Sequence, residues 1–288
     1  MSSFSTFSIV ACDLPSQAWG IAVASKFPAV GAVVPWAKAR TGAIATQSLA
    51  NTTYGPRGLE LLASGLTSEE TLSKLIERDR DREDRQVGLV DAKGNAASFT
   101  GKSCSEWAGG LIGPGYAIQG NMVAGAEVVR EMEHAFLDAK GGLPERLFIA
   151  LESGGRAGGD RRGRQSAALL VVKQKAGYGG FNDRWVDCRV DDHLNPIGRL
   201  GEILELHRLF FGKSPRSQRV NLEGDIVKEI QVIMKGLGYY SPTHGSYDDA
   251  TREAFRAFID NENFEARANP DAGWIDRPVL EYLKKKLQ

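Results

Sequence analysis

Between residues 6 and 48 the chain repeats a pattern that few folds accommodate: short runs of small and β-branched residues broken by turns, apolar at successive positions. "GIAVA" and "GAIAT" are the clearest examples. A strand wet on one face alternates apolar with polar residues, whereas a strand apolar at every position belongs to a sheet covered above and below. The chain must therefore supply covering layers for its sheets.

Those layers are legible further along. After the strand runs "TFSIVACD", "AWGIAVASKF", "AVGAVVPWAKA" and "TGAIATQS" come two helical segments, "GPRGLELLASG" and "TSEETLSKLIERDRD". Thr67 and Glu70, three apart, form the capping-box signature that opens the second. Strands return in "RQVGLVDA" and "AASFTG", joined by the turn "KGN". Residues 123–153 read as helical, with Val128, Met132, Ala135 and Phe136 at helical spacing, and "PERLFIALESGG" follows. "SAALLVVKQ" and "WVDCRVDD" close the region as strands. Strands, helices, strands, helices, strands implies helices packed on extended sheets in layers.

The 288 residues suffice for two hydrophobic cores, and a boundary is expected at 212–222, where "GKSPRSQRVNLEG" is polar, basic and turn-rich. The expected organisation is residues 1–211, a linker at 212–222, and residues 223–288 as a small all-α unit of three helices. Their segments are "DIVKEIQVIMKGLGYY", "SYDDATREAFRAFIDNENF" and "RPVLEYLKKKLQ".

Charge and cysteine usage exclude whole classes of function. The 36 basic and 36 acidic residues balance to a net charge of zero, so nothing draws the chain wholesale to nucleic acid or to an anionic membrane. The expected partner is a small molecule. Cys12, Cys104 and Cys188 stand far apart with no CxxC spacing, which disfavours a zinc site or a disulfide framework and leaves three buried thiols. The first residues lack a basic, apolar leader pattern, and no run reaches the ~18 apolar residues of a membrane span, so a cytoplasmic location is the default expectation.

Side chains that could carry chemistry are few. Of four histidines, His193 ends "VDDH" beside two acids, and adjacent strand positions point to opposite faces, so no metal is expected there without a bend. There is no GxSxG elbow for a serine triad. "GLIGPG" lacks the strand-to-helix setting of a dinucleotide fingerprint, and no cofactor is expected. Gly120 and Asn121 in "QGNMVAG" stand before a helical segment, where free N–H groups and an amide suit an oxyanion; an ordinary N-cap reads equally well. The loop "AGGDRRGRQ" gathers Asp160, Arg161, Arg162 and Arg164 in front of an apolar strand. Its guanidinium forks suit a substrate carboxylate, or else staple the loop to Asp160.

The strand runs above, with "YGPRGLELLASG", "GNMVAG" and "AGGDRRGRQSA", resemble in order a bacterial family catalogued as domain of unknown function number 1028, related to the N-terminal-nucleophile hydrolases. The resemblance spans about residues 6–211. It implies an α+β fold, a four-layer αββα sandwich, and a nucleophile on the first residue of the mature chain whose own α-amine acts as base. The matching position is Thr6, which gains a free amine only if the Ser5–Thr6 bond is cut. The same resemblance places Ser25 and Lys26 near the nucleophile, with Lys38 before the next strand, and an oxyanion hole around Thr46 and Gln47. Asp160 and Ser166 fall near the amine, with Asp160 orienting it and Arg161, Arg162 or Arg164 holding a substrate carboxylate. Ser25 stands where proteasome-like members carry an acid, which weakens the case for a peptidase of that type.

Residues 223–288 resemble peptidoglycan-binding-like three-helix domains, through Ile230-Gln231, "LGYY", the Gly245 turn, Asp249 and Thr251. The expected function is an amidohydrolase using Thr6, Gln47 and Asp160, with Ser25, Asn121 and the three arginines on the substrate. That substrate is an anionic small amide, N-carbamoyl compound or short peptide. The alternatives are a non-catalytic binding or assembly protein and a cytoplasmic muropeptide amidase. Self-association into a homo-oligomer is expected by analogy of fold, and binding of peptidoglycan fragments is the lesser expectation.

Overall fold

The computed structural model describes residues 6–212, 214–239 and 242–286. They divide into two compact units, up to Ile203 and from Leu204 onward. That division falls inside a helix, several residues before the polar stretch 212–222.

The first unit begins with β1 (Thr6–Asp13), β2 (Ala18–Ser25), β3 (Pro35–Lys38) and β4 (Gly42–Ser48). The segment read as one run at 29–39 is split: Val30–Ala32 forms a 3-10 turn before β3. Helices α1 (Tyr54–Ala63) and α2 (Ser68–Glu77) follow, and α2 opens with the expected reciprocal capping box of Thr67 and Glu70. Then come β5 (Arg85–Asp91), β6 (Ala96–Thr100), β7 (Gly109–Gly113) and β8 (Tyr116–Asn121). Helices α3 (Glu127–Asp138) and α4 (Leu143–Arg156) precede β9 (Ser166–Lys173) and β10 (Arg184–Val190).

Two antiparallel sheets result, one ordered β10-β9-β2-β1-β8-β7 and the other β3-β4-β5-β6. Helix α4 lies on β1 and β2, and α1 packs on β4, so the layers run helix, sheet, sheet, helix. This is the αββα sandwich, and it explains the doubly apolar strands. Along β1, Phe7 faces the α4 side, within reach of Gly154 and Gly159, while Val10 faces the other sheet. Ile44, Leu75, Val87 and Leu89 pack in a cluster with α1 and α2. Between the sheets lie Val10, Trp19, Ile21, Val23, Ala43, Ala45 and Val90. Small side chains let the layers approach: a Cβ on Gly20 would stand 2.8 Å from Leu147 Cδ1. Trp19 is wholly buried there, its indole N–H satisfied by the Asp91 carbonyl at 3.0 Å.

Helix α5 (Pro196–Phe211) spans the division between the units. The second unit contains the three expected helices, α6 (Asp225–Gly236), α7 (Asp249–Asn261) and α8 (Arg277–Lys286). Alongside them three short strands, β11 (Arg219–Asn221), β12 (Ala268–Asn269) and β13 (Trp274–Asp276), form a small sheet that the helical periodicity does not announce. Its core is separate, built on Phe255, Phe258, Phe264, Ile230 and Leu283. Among the described residues, no helix is long and apolar enough to cross a membrane.

Candidate functional site

The layer between the two sheets changes character along its length. At one end it is apolar, around Trp19 and Ile21; at the other, the inward strand positions are Thr6, Ser8, Ser25, Gln47, Gln86, Gln119 and Asn121, all buried. An apolar interior tolerates such groups only when they satisfy one another. Here they largely do. Ser8 Oγ donates to Gln47 Oε1 at 2.6 Å and accepts from Gln119 Nε2 at 2.7 Å. Gln47 Nε2 donates to Gln86 Oε1 at 2.8 Å and to the Thr6 carbonyl at 3.2 Å.

Strand register brings these groups together. Thr6 lies directly opposite Ser25 on β2 and opposite Asn121 on β8. The hydroxyls of Thr6 and Ser25 share a hydrogen bond of 3.1 Å. Asn121 Nδ2 donates to Gln86 Oε1 at 2.9 Å and reaches the Thr6 carbonyl at 3.4 Å. Two residues that directly follow this cluster, Ser48 after Gln47 and Met122 after Asn121, hold left-handed backbone at φ 68° and 52°. Strained non-glycine backbone at both strand ends is a local cost that the surrounding structure maintains.

Asn121 is thus placed otherwise than as a residue just before a helix. It ends β8, and the helix that follows begins only at Glu127, with Ala126 as its cap. The amide lies inside the sandwich rather than at a helix terminus. One further expectation is corrected. The Thr46 N–H donates to the Val34 carbonyl at 3.2 Å, so it does not serve an oxyanion. Lys38 pairs with Gly42, at the far end of β4 from Gln47, and is exposed, because β3 and β4 run antiparallel from a turn distant from Thr6.

The arginine loop has divided roles. Asp160 is buried and its two oxygens receive four donors: the Lys26 N–H at 2.6 Å, and from Arg162 the backbone N–H at 2.9 Å, Nε at 3.3 Å and Nη2 at 3.0 Å. Asp160 and Arg162 together therefore have the geometry of the loop staple. Arg161 and Arg164 instead line a pocket of about 290 Å³. Phe7, Ala24 and Ile197 give it an apolar wall, and Ser25 and Ser166 contribute hydroxyl-bearing residues. Ser166 is itself engaged, its Oγ donating to the Phe27 carbonyl and accepting from the Val30 N–H at 3.2 Å.

The candidate residues therefore form two groups. Thr6, Gln47 and Asn121 sit in the polar end of the inter-sheet layer, while Asp160, Arg161 and Arg164 line the pocket. Ser25 belongs to both. Ser8, Gln86 and Gln119 were not anticipated; their signal was polarity at inward positions of otherwise apolar strands. His193 Nδ1 accepts from the Asn195 N–H at 2.9 Å within an exposed turn, and no metal-binding cluster is found among the described residues. The three cysteines are buried thiols; burial pushes Cys12 and Cys188 up to about 11, with neighbouring carboxylates adding to the effect.

Residues 6–200 match the family described as "Family of unknown function (DUF1028)", and residues 210–283 match a peptidoglycan-binding-like domain. A crystal structure of a DUF1028 protein from Silicibacter pomeroyi is similar, with a TM-score of 0.65 and 30% identity over 71% of this chain and 89% of that one. Among curated proteins, none matches.

Proposed function

Because the chain belongs to the DUF1028 family, we propose for its two-sheet body the activity of an N-terminal-nucleophile amidohydrolase, with Thr6 as nucleophile and a small carboxylate-bearing amide as substrate. The observation that carries this reading is the hydroxyl of Thr6, enclosed at the polar end of the inter-sheet layer and hydrogen-bonded to a pocket-lining serine. A threonine at the start of a buried strand needs no such surroundings for packing. A nucleophile does.

The chemistry begins once the Ser5–Thr6 peptide bond has been hydrolysed to free the Thr6 α-amine. Thr6 Oγ1 then attacks the substrate carbonyl while its proton passes to that amine. The substrate C–N bond breaks, the leaving nitrogen takes the proton, and an ester on Thr6 remains. Water, deprotonated by the same amine, cleaves the ester and returns the hydroxyl. An α-amine titrates near ~8, so a useful fraction is free base at neutral pH without a histidine. Arg161 and Arg164 favour a substrate carboxylate, and Phe7, Ala24 and Ile197 favour a short apolar group beside it.

The match of residues 210–283 to a peptidoglycan-binding-like domain favours a second reading, the same chemistry directed at an amide of a cell-wall peptide.

The test is intact mass with N-terminal sequencing of protein from its native host, followed by turnover of N-acyl and N-carbamoyl amino acids and muropeptides by a chain beginning at Thr6. Thr6→Ala should lower turnover by roughly a thousandfold or more while the protein stays folded, and substrate should leave an acyl adduct on Thr6 in wild type. Equal turnover by both proteins, or no hydrolysis and no adduct with a free Thr6 amine, refutes the reading.

A further inference from the structure

The amides around Thr6 are oriented by partners that leave them no choice. Gln86 Nε2 donates to the carbonyls of Gly109 at 3.2 Å and Gly120 at 2.8 Å, and to Thr100 Oγ1 at 2.9 Å. Carbonyls only accept, so the Gln86 amide nitrogen must point at them and its oxygen must point the other way. That oxygen faces Gln47 Nε2 at 2.8 Å and Asn121 Nδ2 at 2.9 Å. Turning the Asn121 amide over would set two oxygens against each other. Asn121 therefore keeps its nitrogen on Gln86, and its oxygen is left as an acceptor.

That oxygen is fully buried and accepts no hydrogen bond from any described residue. An acceptor stripped of water costs about 1–3 kcal/mol unless a donor reaches it. Asn121 is the cross-strand partner of Thr6, both side chains lie on the inter-sheet face, and its Nδ2 already reaches the Thr6 carbonyl. Directly opposed strand residues bring their side chains within about 5 Å. The group best placed to meet the acceptor is the one that appears only when the chain starts at Thr6.

We propose that Asn121 Oδ1 is the docking acceptor for the α-amine of Thr6, a positioning residue that aims the amine at its own hydroxyl. The assignment rests on the amidohydrolase reading for its catalytic meaning, but the docking itself can be measured without turnover. An amine that donates one N–H to Asn121 is fixed in rotation about its bond to Cα, which leaves its lone pair directed at the proton of Thr6 Oγ1. A neutral amide suits this better than a carboxylate, because a carboxylate would hold the amine protonated and remove the base at neutral pH. Asp160, its four acceptor positions filled by Lys26 and Arg162, leaves the amine to Asn121.

The experiment uses chains that begin at Thr6, verified by intact mass, and measures the rate of acetylation of the Thr6 α-amine against pH by mass spectrometry of the N-terminal peptide. The midpoint reports the amine's proton affinity whether or not the protein turns over any substrate. Asn121→Asp should raise the midpoint by about one unit or more, since a nearby carboxylate favours the ammonium. Asn121→Ala, which removes the acceptor that also stabilises the ammonium, should lower it by several tenths of a unit. Should Asn121→Asp fail to fold, the direction in Asn121→Ala decides alone. Midpoints within a tenth of a unit of wild type in every folded variant overturn the assignment. Shifted midpoints in a protein that hydrolyses nothing keep the docking and remove the amidohydrolase reading; turnover with unshifted midpoints does the reverse.

Discussion

At the residue scale the polar end of the sandwich is held by close packing as much as by hydrogen bonds. Gly88 on β5 faces Gln119 so closely that a Cβ would fall 1.9 Å from Gln119 Oε1. The Gln119 amide cannot yield freely, because its Nε2 is committed to Ser8 at 2.7 Å, and Ser8 is in turn committed to Gln47. Gly88→Ala should therefore act as overpacking of a buried network and destabilise the protein by ~1–3 kcal/mol. Gly125, with nothing within 4 Å of its added Cβ, is the control, and Gly125→Ala should be close to neutral. Urea midpoints of the two variants compare them directly, and equal midpoints would show that the Gln119 amide can move aside after all. Such a pair of inward glutamine and glycine residues was visible in "QVGLV" and "AIQGN", yet nothing in one strand tells which glycine will meet which amide across a sheet.

Elements were legible where periodicity is local. The capping box at Thr67, the helical spacing from Val128 to Phe136 and the doubly apolar strands all follow from rules acting over a few residues, and each is found in place. Asn121 was misplaced because a short turn lies between β8 and α3, and an asparagine ahead of a helical segment resembles a cap until the strand's end is known. The half-buried acid Asp79 was missed for a related reason. It stands after α2 but joins three elements, accepting from Asn51 at 2.9 Å, from the Tyr54 hydroxyl at the start of α1 at 2.9 Å, and from Arg85 at the start of β5 at 3.0 Å. Burial alone would push its carboxyl up, but the hydrogen bonds from Asn51, Arg85 and Tyr54 outweigh burial and hold it well below the usual carboxylate range. A carboxyl depressed in the folded state contributes stability that is present above its unfolded value near ~3.9 and is lost as pH falls through the folded one. Asp79→Asn should cost ~2 kcal/mol at pH 7, the scale of a hydrogen bond to a charged group, and should flatten the decline in stability below pH ~4. Thermal melts of both proteins from pH 7 to pH 2 measure the difference, and parallel curves would remove Asp79 from the acid response.

At the scale of the whole molecule, two cores imply two separable responses to damage. The second unit carries its own buried ion pair: Arg267 and Asp276 are almost fully enclosed, with Arg267 Nε 3.3 Å from Asp276 Oδ2. Arg267 also ties down the chain that enters this unit, donating to the Gly212 carbonyl and to Ser214 Oγ. The cation is the half that cannot be removed cheaply, since Arg267→Ala would leave the Asp276 carboxylate buried without its partner. Breaking a buried pair from one side costs about 3–5 kcal/mol, far more than the pair contributes over an apolar substitute. The loss should stay within the unit that holds it, because the Phe255–Phe258–Phe264 core and the inter-sheet core around Trp19 are different clusters. In hydrogen exchange, peptides from α6, α7 and α8 of Arg267→Ala should lose protection while those from β1, β2 and β8 keep theirs. Loss of protection in β1 and β8 as well would mean that the stability of the Thr6 site depends on the second unit, and would make that unit part of whatever the site does.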